Sequence, residues 1–176
     1  MAHRIAERSL AGAPTLHMLC GKVAAGKSTL AARLAAAPAT ILISEDAWMP
    51  CLYRDELQTV ADYGKYSRRL REAMGPHVAM LLKAGLSVVL DFPANTIVNR
   101  QWMRGIFEAA GVEHRLHLLD LSDAACRQRL RRRNADGAHA FTVSDAEFDL
   151  LTSYFVRPSA AEGFETIVYG EAELGS

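Results

Sequence analysis

The sequence predicts an α/β domain built on a parallel sheet with helices on both faces. Three observations carry that expectation. Short, nearly continuous apolar runs alternate with helix-forming segments, the pattern of buried parallel strands joined by crossover helices. Glycine and acidic residues fall directly after those runs, at the carboxyl ends where such sheets gather their chemistry. The chain has 176 residues, half of them hydrophobic and 23% charged, which suits one ordinary globular domain and is too short for two.

Residues 1–14 are polar and rich in Ala and Gly, end in Ala13-Pro14, and read as a leader ahead of a domain over 15–176. Thr15 to Cys20 is a short apolar run closed by Gly21, a buried strand. Lys27 to Ala37 consists of strong helix formers stopped by Pro38. Thr40 to Ile43 is the second strand, followed by a polar and aromatic loop through Tyr53. Asp62 to Lys83 reads as a long helix that Gly75-Pro76 should kink or break. Leu86 to Leu90 is the third strand and ends in Asp91; Asn95 to Ala110 is a helix stopped by Gly111. His114 to Leu121 is the fourth strand. Ser122 caps the next helix, which runs through Arg133. Ser144 and Glu147 form a capping box that opens a helix to about Phe155, and Thr166 to Tyr169 is the fifth strand.

Composition excludes several classes. Lys plus Arg equals Asp plus Glu at 20 each, so the net charge is zero, and a general binder of nucleic acid or anionic membrane would need a basic excess. No stretch approaches 18 consecutive apolar residues, so no membrane span is expected. Cys20, Cys51 and Cys126 lack CxxC spacing and read as small buried or half-buried thiols, with the reducing cytoplasm as the expected compartment. The six histidines show no metal-ligand spacing.

Gly21-Lys22-Val23-Ala24-Ala25-Gly26-Lys27-Ser28 satisfies G-x-x-x-x-G-K-[ST] between a strand and a helix, the context this motif needs. The glycines let backbone N–H groups turn toward a phosphate at the positive end of the helix. Gly21 through Thr29 are the expected nucleotide-binding residues, with Lys27 placed for the β- and γ-phosphates and the Ser28 hydroxyl for magnesium. Asp91 has the position of a Walker B aspartate. Glu45 and Asp46, with Trp48 and Tyr53 nearby, resemble a substrate pocket with a general base. An acidic N-cap pair with a core Trp and Tyr is the other reading, and spacing does not choose between the two acids.

Five arginines occupy seven positions from Arg127 to Arg133. Arg129 and Arg133 share a face suited to clamping phosphate oxygens, whereas Arg127 and Arg131 read as a solvated basic helix end.

The segments Gly21 to Ala31, Ser44 to Met49, Val88 to Asp91 and Arg129 to Asn134 resemble the small P-loop kinases of the AAA_33 type, a group similar to chloramphenicol phosphotransferase, zeta toxins and gluconate kinase. The resemblance spans about Thr15 to Tyr169. It implies a three-layer P-loop NTPase fold, a five-stranded parallel sheet in the order 2-3-1-4-5, and a small lid at about 134–143. It also implies transfer of the ATP γ-phosphoryl group to a small-molecule hydroxyl. On that resemblance Asp46 is the general base, Arg129 and Arg133 flank the lid, and Trp48, Tyr53, Arg54, Asn95 and Arg100, with Glu45, are substrate candidates. Pro158 to Gly163 resembles the family's closing segment, but Val156-Arg157 stands where an acidic residue is expected. The resulting expectation is an ATP- and magnesium-dependent phosphotransferase. A nucleotide-hydrolysing regulatory module and a nucleotide or polynucleotide kinase are the alternatives.

Overall fold

The computed structural model describes residues 12–136 and 143–173, so most of the leader expected over 1–14 and of the lid expected at about 134–143 lies outside the described residues. The elements are β1 (Thr15–Gly21), α1 (Lys27–Ala35), β2 (Thr40–Ser44), α2 (Glu45–Tyr53), α3 (Val60–Lys83), β3 (Ser87–Pro93), α4 (Ile97–Ala110), β4 (Glu113–Leu119), α5 (Asp123–Asp136), α6 (Asp145–Ser153), a 3-10 turn (Ala160–Glu162) and β5 (Thr166–Tyr169). The five strands form one sheet in the order β2-β3-β1-β4-β5, and every pair is parallel.

Side chains alternate across the strands and so feed two cores. Leu16, Met18 and Cys20 of β1 join Val88 and Leu90 of β3 and Leu116 and Leu118 of β4 in one, under α3 and α4. Leu19, Val89 and Leu119 join Leu30, Cys126, Leu130 and Phe148 in the other, under α1, α5 and α6. Both faces of the sheet are therefore dry, as the continuous apolar runs require. None of the described helices is long and apolar enough to cross a membrane.

Two local expectations are corrected. Residues 45–53 are helix α2, not a loop. Extended Ser44 delivers the chain into a first turn holding Glu45 and Asp46, whose charges suit a helix N-terminus, and Met49 anchors the inner face. Pro50 disguises this helix in the sequence, although a proline costs it only one internal hydrogen bond. Gly75-Pro76 likewise leaves α3 a single uninterrupted helix. Gly75 is there for contact: a Cβ would lie 3.2 Å from Nε1 of Trp102 on α4.

Arg131 is solvated as expected, 70% exposed, whereas Arg127 is half-buried, and both make ion pairs that the sequence did not show. Arg127 pairs with Asp145 and Asp149 and covers the Phe148 ring, and Arg131 pairs with Asp145, so both tie α5 to α6.

Histidines that looked scattered meet inside the sheet. His17 Nδ1 lies 3.0 Å from His117 Nε2, and His117 Nδ1 lies 2.8 Å from the Tyr169 hydroxyl, joining β1, β4 and β5. Burial, then His17 and Arg115, pull the His117 imidazole down from 6.5 to about 4. Between those values the unfolded chain binds the proton that the folded chain refuses, so stability falls as pH drops through the window. From pH 7 to pH 4.5, urea unfolding should show wild type losing roughly 2 kcal/mol more than His117→Gln. Equal losses would remove His117 as the cause.

Candidate active site

The phosphate-loop motif spans the end of β1 and the start of α1. Gly21 is buried where β1 meets β4; a Cβ there would sit 3.1 Å from both the Cβ and the carbonyl oxygen of Leu119. The loop then turns through left-handed backbone at Ala24 (φ 60°) and Gly26 (φ 102°). Gly26 is the N-cap of α1 and supplies no side-chain cap, so the first-turn N–H groups remain available to an anion. Ala25 is buried against the second core, and Val23 and Ala24 pack on it. Lys27 Nζ donates to the carbonyls of Gly21 at 2.7 Å and Lys22 at 2.9 Å, holding the amine across the loop. Burial lowers the Lys27 pKa, against the opposing pull of Asp91 and Asp46. Ser28 and Thr29 are exposed at the start of α1.

Lys22 points away from the loop centre. Its amine pairs with Asp123, donates to the Leu121 carbonyl at 3.3 Å and lies 5.8 Å from the Phe155 ring centroid. Arg129 Nη1 donates to the Ala25 carbonyl at 3.1 Å, which sets its guanidinium against the loop. Arg133, one turn on, is half-buried, and its Nε has no hydrogen-bond partner among the described residues.

Asp91 accepts from the Ser44 hydroxyl at 3.4 Å. Burial raises its carboxyl pKa, and the Ser28 hydroxyl and Lys27 oppose that rise. One carboxylate and one hydroxyl beside a phosphate loop fit a hard cation whose remaining ligands come from phosphate and water. The described residues include no cluster of three His, Cys, Asp or Glu side chains able to hold a metal alone.

The two adjacent acids have different fates. Glu45 is 1% exposed: Ser67 donates to Oε1, Arg71 Nη2 lies 3.5 Å from the same oxygen, and the Tyr63 hydroxyl is 3.3 Å from Oε2. Burial raises the Glu45 pKa, against hydrogen bonding from Ser67 and the charge of Arg71. Asp46 is exposed, touches the Tyr63 hydroxyl at 3.2 Å, and its charge acts on both Lys27 and Asp91. Lys27, Ser28, Asp91 and Asp46 thus gather at the carboxyl edge of β1, β2 and β3.

The other substrate candidates separate. Trp48 is 41% exposed on α2, while Tyr53 packs tilted against Tyr66 with ring centroids 4.6 Å apart. Arg54 is exposed just after α2. Asn95 is at the site but faces the protein: its Oδ1 accepts from the Gly21 N–H at 2.9 Å. Arg100 is 0% exposed, bound to Glu162 at 2.6 Å and to the carbonyls of Ala94 and Val156 at 2.9 Å each, so it holds the chain rather than a substrate. Sequence reasoning missed Tyr63, Ser67, Arg71 and Asn99. The i, i+4, i+8 spacing of the first three, a polar stripe on one face of α3, was the available signal.

A family model described as an AAA domain, AAA_33, matches residues 16–158. No curated protein matches the sequence. Similar solved structures include a candidate kinase of Chloroflexus aurantiacus (TM-score 0.68, 22% identity, covering 90% of this chain and 85% of that one). Kti12 of Chaetomium thermophilum in complex with ADP-AlF3 is also similar (TM-score 0.67, 16% identity, covering 92% and 93%). A third is the Mycobacterium tuberculosis APS kinase CysC with AMPPNP and APS (TM-score 0.58, 19% identity, covering 91% and 90%).

Asn95→Leu should cost roughly 1–3 kcal/mol of stability in chemical denaturation, because the buried Gly21 N–H loses its acceptor. Asn95→Asp, which keeps an acceptor, should lie near wild type. Equal losses in both variants would show that the bond is not what matters.

Proposed function

Because the chain belongs to the AAA_33 family, whose P-loop fold it adopts, we propose that it is an ATP-dependent phosphotransferase acting on a hydroxyl of a small molecule. The observation that carries this reading is the separation of the two acids. Glu45 is consumed by protein contacts, whereas Asp46 stays exposed with its charge acting on Lys27 and Asp91. A loop that only holds nucleotide has no use for such a carboxylate.

In the proposed reaction the acceptor hydroxyl gives its proton to Asp46. Its oxygen bonds to the γ-phosphorus of ATP, the bond to the β–γ bridging oxygen breaks, and ADP leaves with that electron pair. The loop N–H groups and Lys27 hold the phosphates. Arg129, already against the loop, and Arg133, one turn on along α5, meet the charge on the transferred group. Ser28 and Asp91 would hold magnesium, which supplies charge neutralisation to the phosphates when bound. The acceptor classes this reading admits are an antibiotic, a sugar, a nucleoside or a sugar nucleotide, and the proposed compartment is the cytoplasm. Substrate contacts fall to Trp48 and Arg54, with Tyr53, Asn95 and Arg100 left to support the walls. A polynucleotide acceptor is disfavoured because Arg127 and Arg131 are already paired with Asp145 and Asp149 on α6.

ATP consumption screened over hydroxylated metabolites and antibiotics, with Asp46→Asn as the blank, is the deciding experiment. Asp46→Asn should bind ATP normally in calorimetry and transfer about 100-fold or more slowly. Turnover that no alcohol accelerates would favour the hydrolysing module. Lys27→Ala should weaken ATP binding itself at least tenfold, and unchanged affinity would count against the loop.

A further inference from the structure

The Tyr63 phenol sits between the two acids, 3.3 Å from Glu45 Oε2 and 3.2 Å from Asp46 Oδ1. It has one hydrogen to give and two carboxyl oxygens within reach. The far side of Glu45 is already fixed. Ser67 donates to Oε1 and accepts from Arg71 Nη2 at 2.7 Å; Arg71 Nη1 donates to Asn99 Oδ1 at 2.6 Å; Asn99 Nδ2 donates to the Pro93 carbonyl at 2.8 Å. A continuous line of hydrogen bonds therefore runs from Asp46 on α2 to Tyr63 on α3, back to Glu45 on α2, and on through Ser67 and Arg71 on α3 and Asn99 on α4 to the end of β3, the strand that carries Asp91.

We propose that Tyr63 is a positioning residue: its hydroxyl donates to Asp46 Oδ1 and fixes that carboxylate so that Oδ2 faces the acceptor hydroxyl. This rests on the reading of Asp46 as the base. The direction of donation follows from counting protons. Both contacts are satisfied together only if one of the two acids carries a proton; with Glu45 1% exposed and Asp46 exposed, that acid is Glu45, which donates to the phenol oxygen while the phenol donates to Asp46. The buried acid favours that arrangement, since burial raises its pKa. Burial and the two neighbouring acids also raise the Tyr63 pKa, so it remains a donor. Among the described residues, the charged groups acting on these two acids and their neighbours include Lys27 of α1, Asp91 of β3 and Arg71 of α3. The exposed base thus owes its orientation to a buried acid it does not touch.

The test uses the whole protein and four forms: wild type, Tyr63→Phe, Asp46→Asn and the double variant. ADP release is read with water as acceptor, and with any acceptor the screen yields, and ATP affinity is read by calorimetry. Tyr63→Phe should lower kcat roughly tenfold with ATP affinity unchanged, and the double variant should be no slower than Asp46→Asn alone. A Tyr63→Phe rate equal to wild type, or a double variant a further tenfold slower than Asp46→Asn, would overturn the proposal. A wild-type rate in Asp46→Asn would instead remove the base reading and this inference with it. Carboxyl 13C spectra of the ligand-free protein give a readout that needs no turnover. The Asp46 resonance, identified by its loss in Asp46→Asn, should move in Tyr63→Phe. The Tyr63 Cζ resonance should move in Asp46→Asn, which requires no change at Tyr63. A resonance that stays in place in either experiment would overturn the positioning role.

Discussion

The fold around the phosphate loop hangs on one buried cation. Arg100, 0% exposed on α4, grips Glu162 of the 3-10 turn and the carbonyls of Ala94 and Val156. Val156 N–H in turn donates to the Asn95 carbonyl, and the Asn95 side chain accepts from the Gly21 N–H. A single guanidinium thereby joins the chain before β5, the turn after β3 and the first residue of the phosphate loop. A buried charge is tolerated because its donors are used, and removing its partner would leave it stranded at a cost of several kcal/mol. Glu162 shows the other side of the pair: hydrogen bonding from Arg100 lowers its pKa.

The charges at the carboxyl edge of the sheet are sorted by the same principle. Acids and bases that find protein partners become scaffold: Glu45 with Ser67 and Arg71, Lys22 with Asp123, Arg127 with Asp145 and Asp149. Lys27 donates to two loop carbonyls, and the exposed Asp46 meets the Tyr63 phenol, which leaves both groups at the cleft rather than inside the scaffold. A chain with zero net charge can hold a polyanion in this way because the positive groups are concentrated in one place while the rest cancel.

Much of this was legible without coordinates. The continuous apolar runs give a sheet buried on both faces, Ser144 and Glu147 give the N-terminus of α6, and Gly111 gives the C-terminus of α4 in left-handed backbone. Helix α2 was not legible, because Pro50 and its aromatic neighbours resemble a loop while the acids that start the helix act through the field of its first turn. The unbroken α3 was hidden for a related reason: Gly75 answers to Trp102, a residue from a different segment.

The sequence by itself determined the sheet, the phosphate loop and the residue types of the cleft, because these depend on local spacing: short continuous apolar runs along strands and glycines at fixed offsets before Lys27. Only the tertiary structure decided which of two adjacent acids is available and which arginines are bound. Those outcomes depend on whether a partner arrives from elsewhere in the chain. Ser67 and Tyr63 reach α2 from α3, Glu162 reaches Arg100 across 62 positions, and burial makes each such meeting decisive by removing the water that would otherwise replace it.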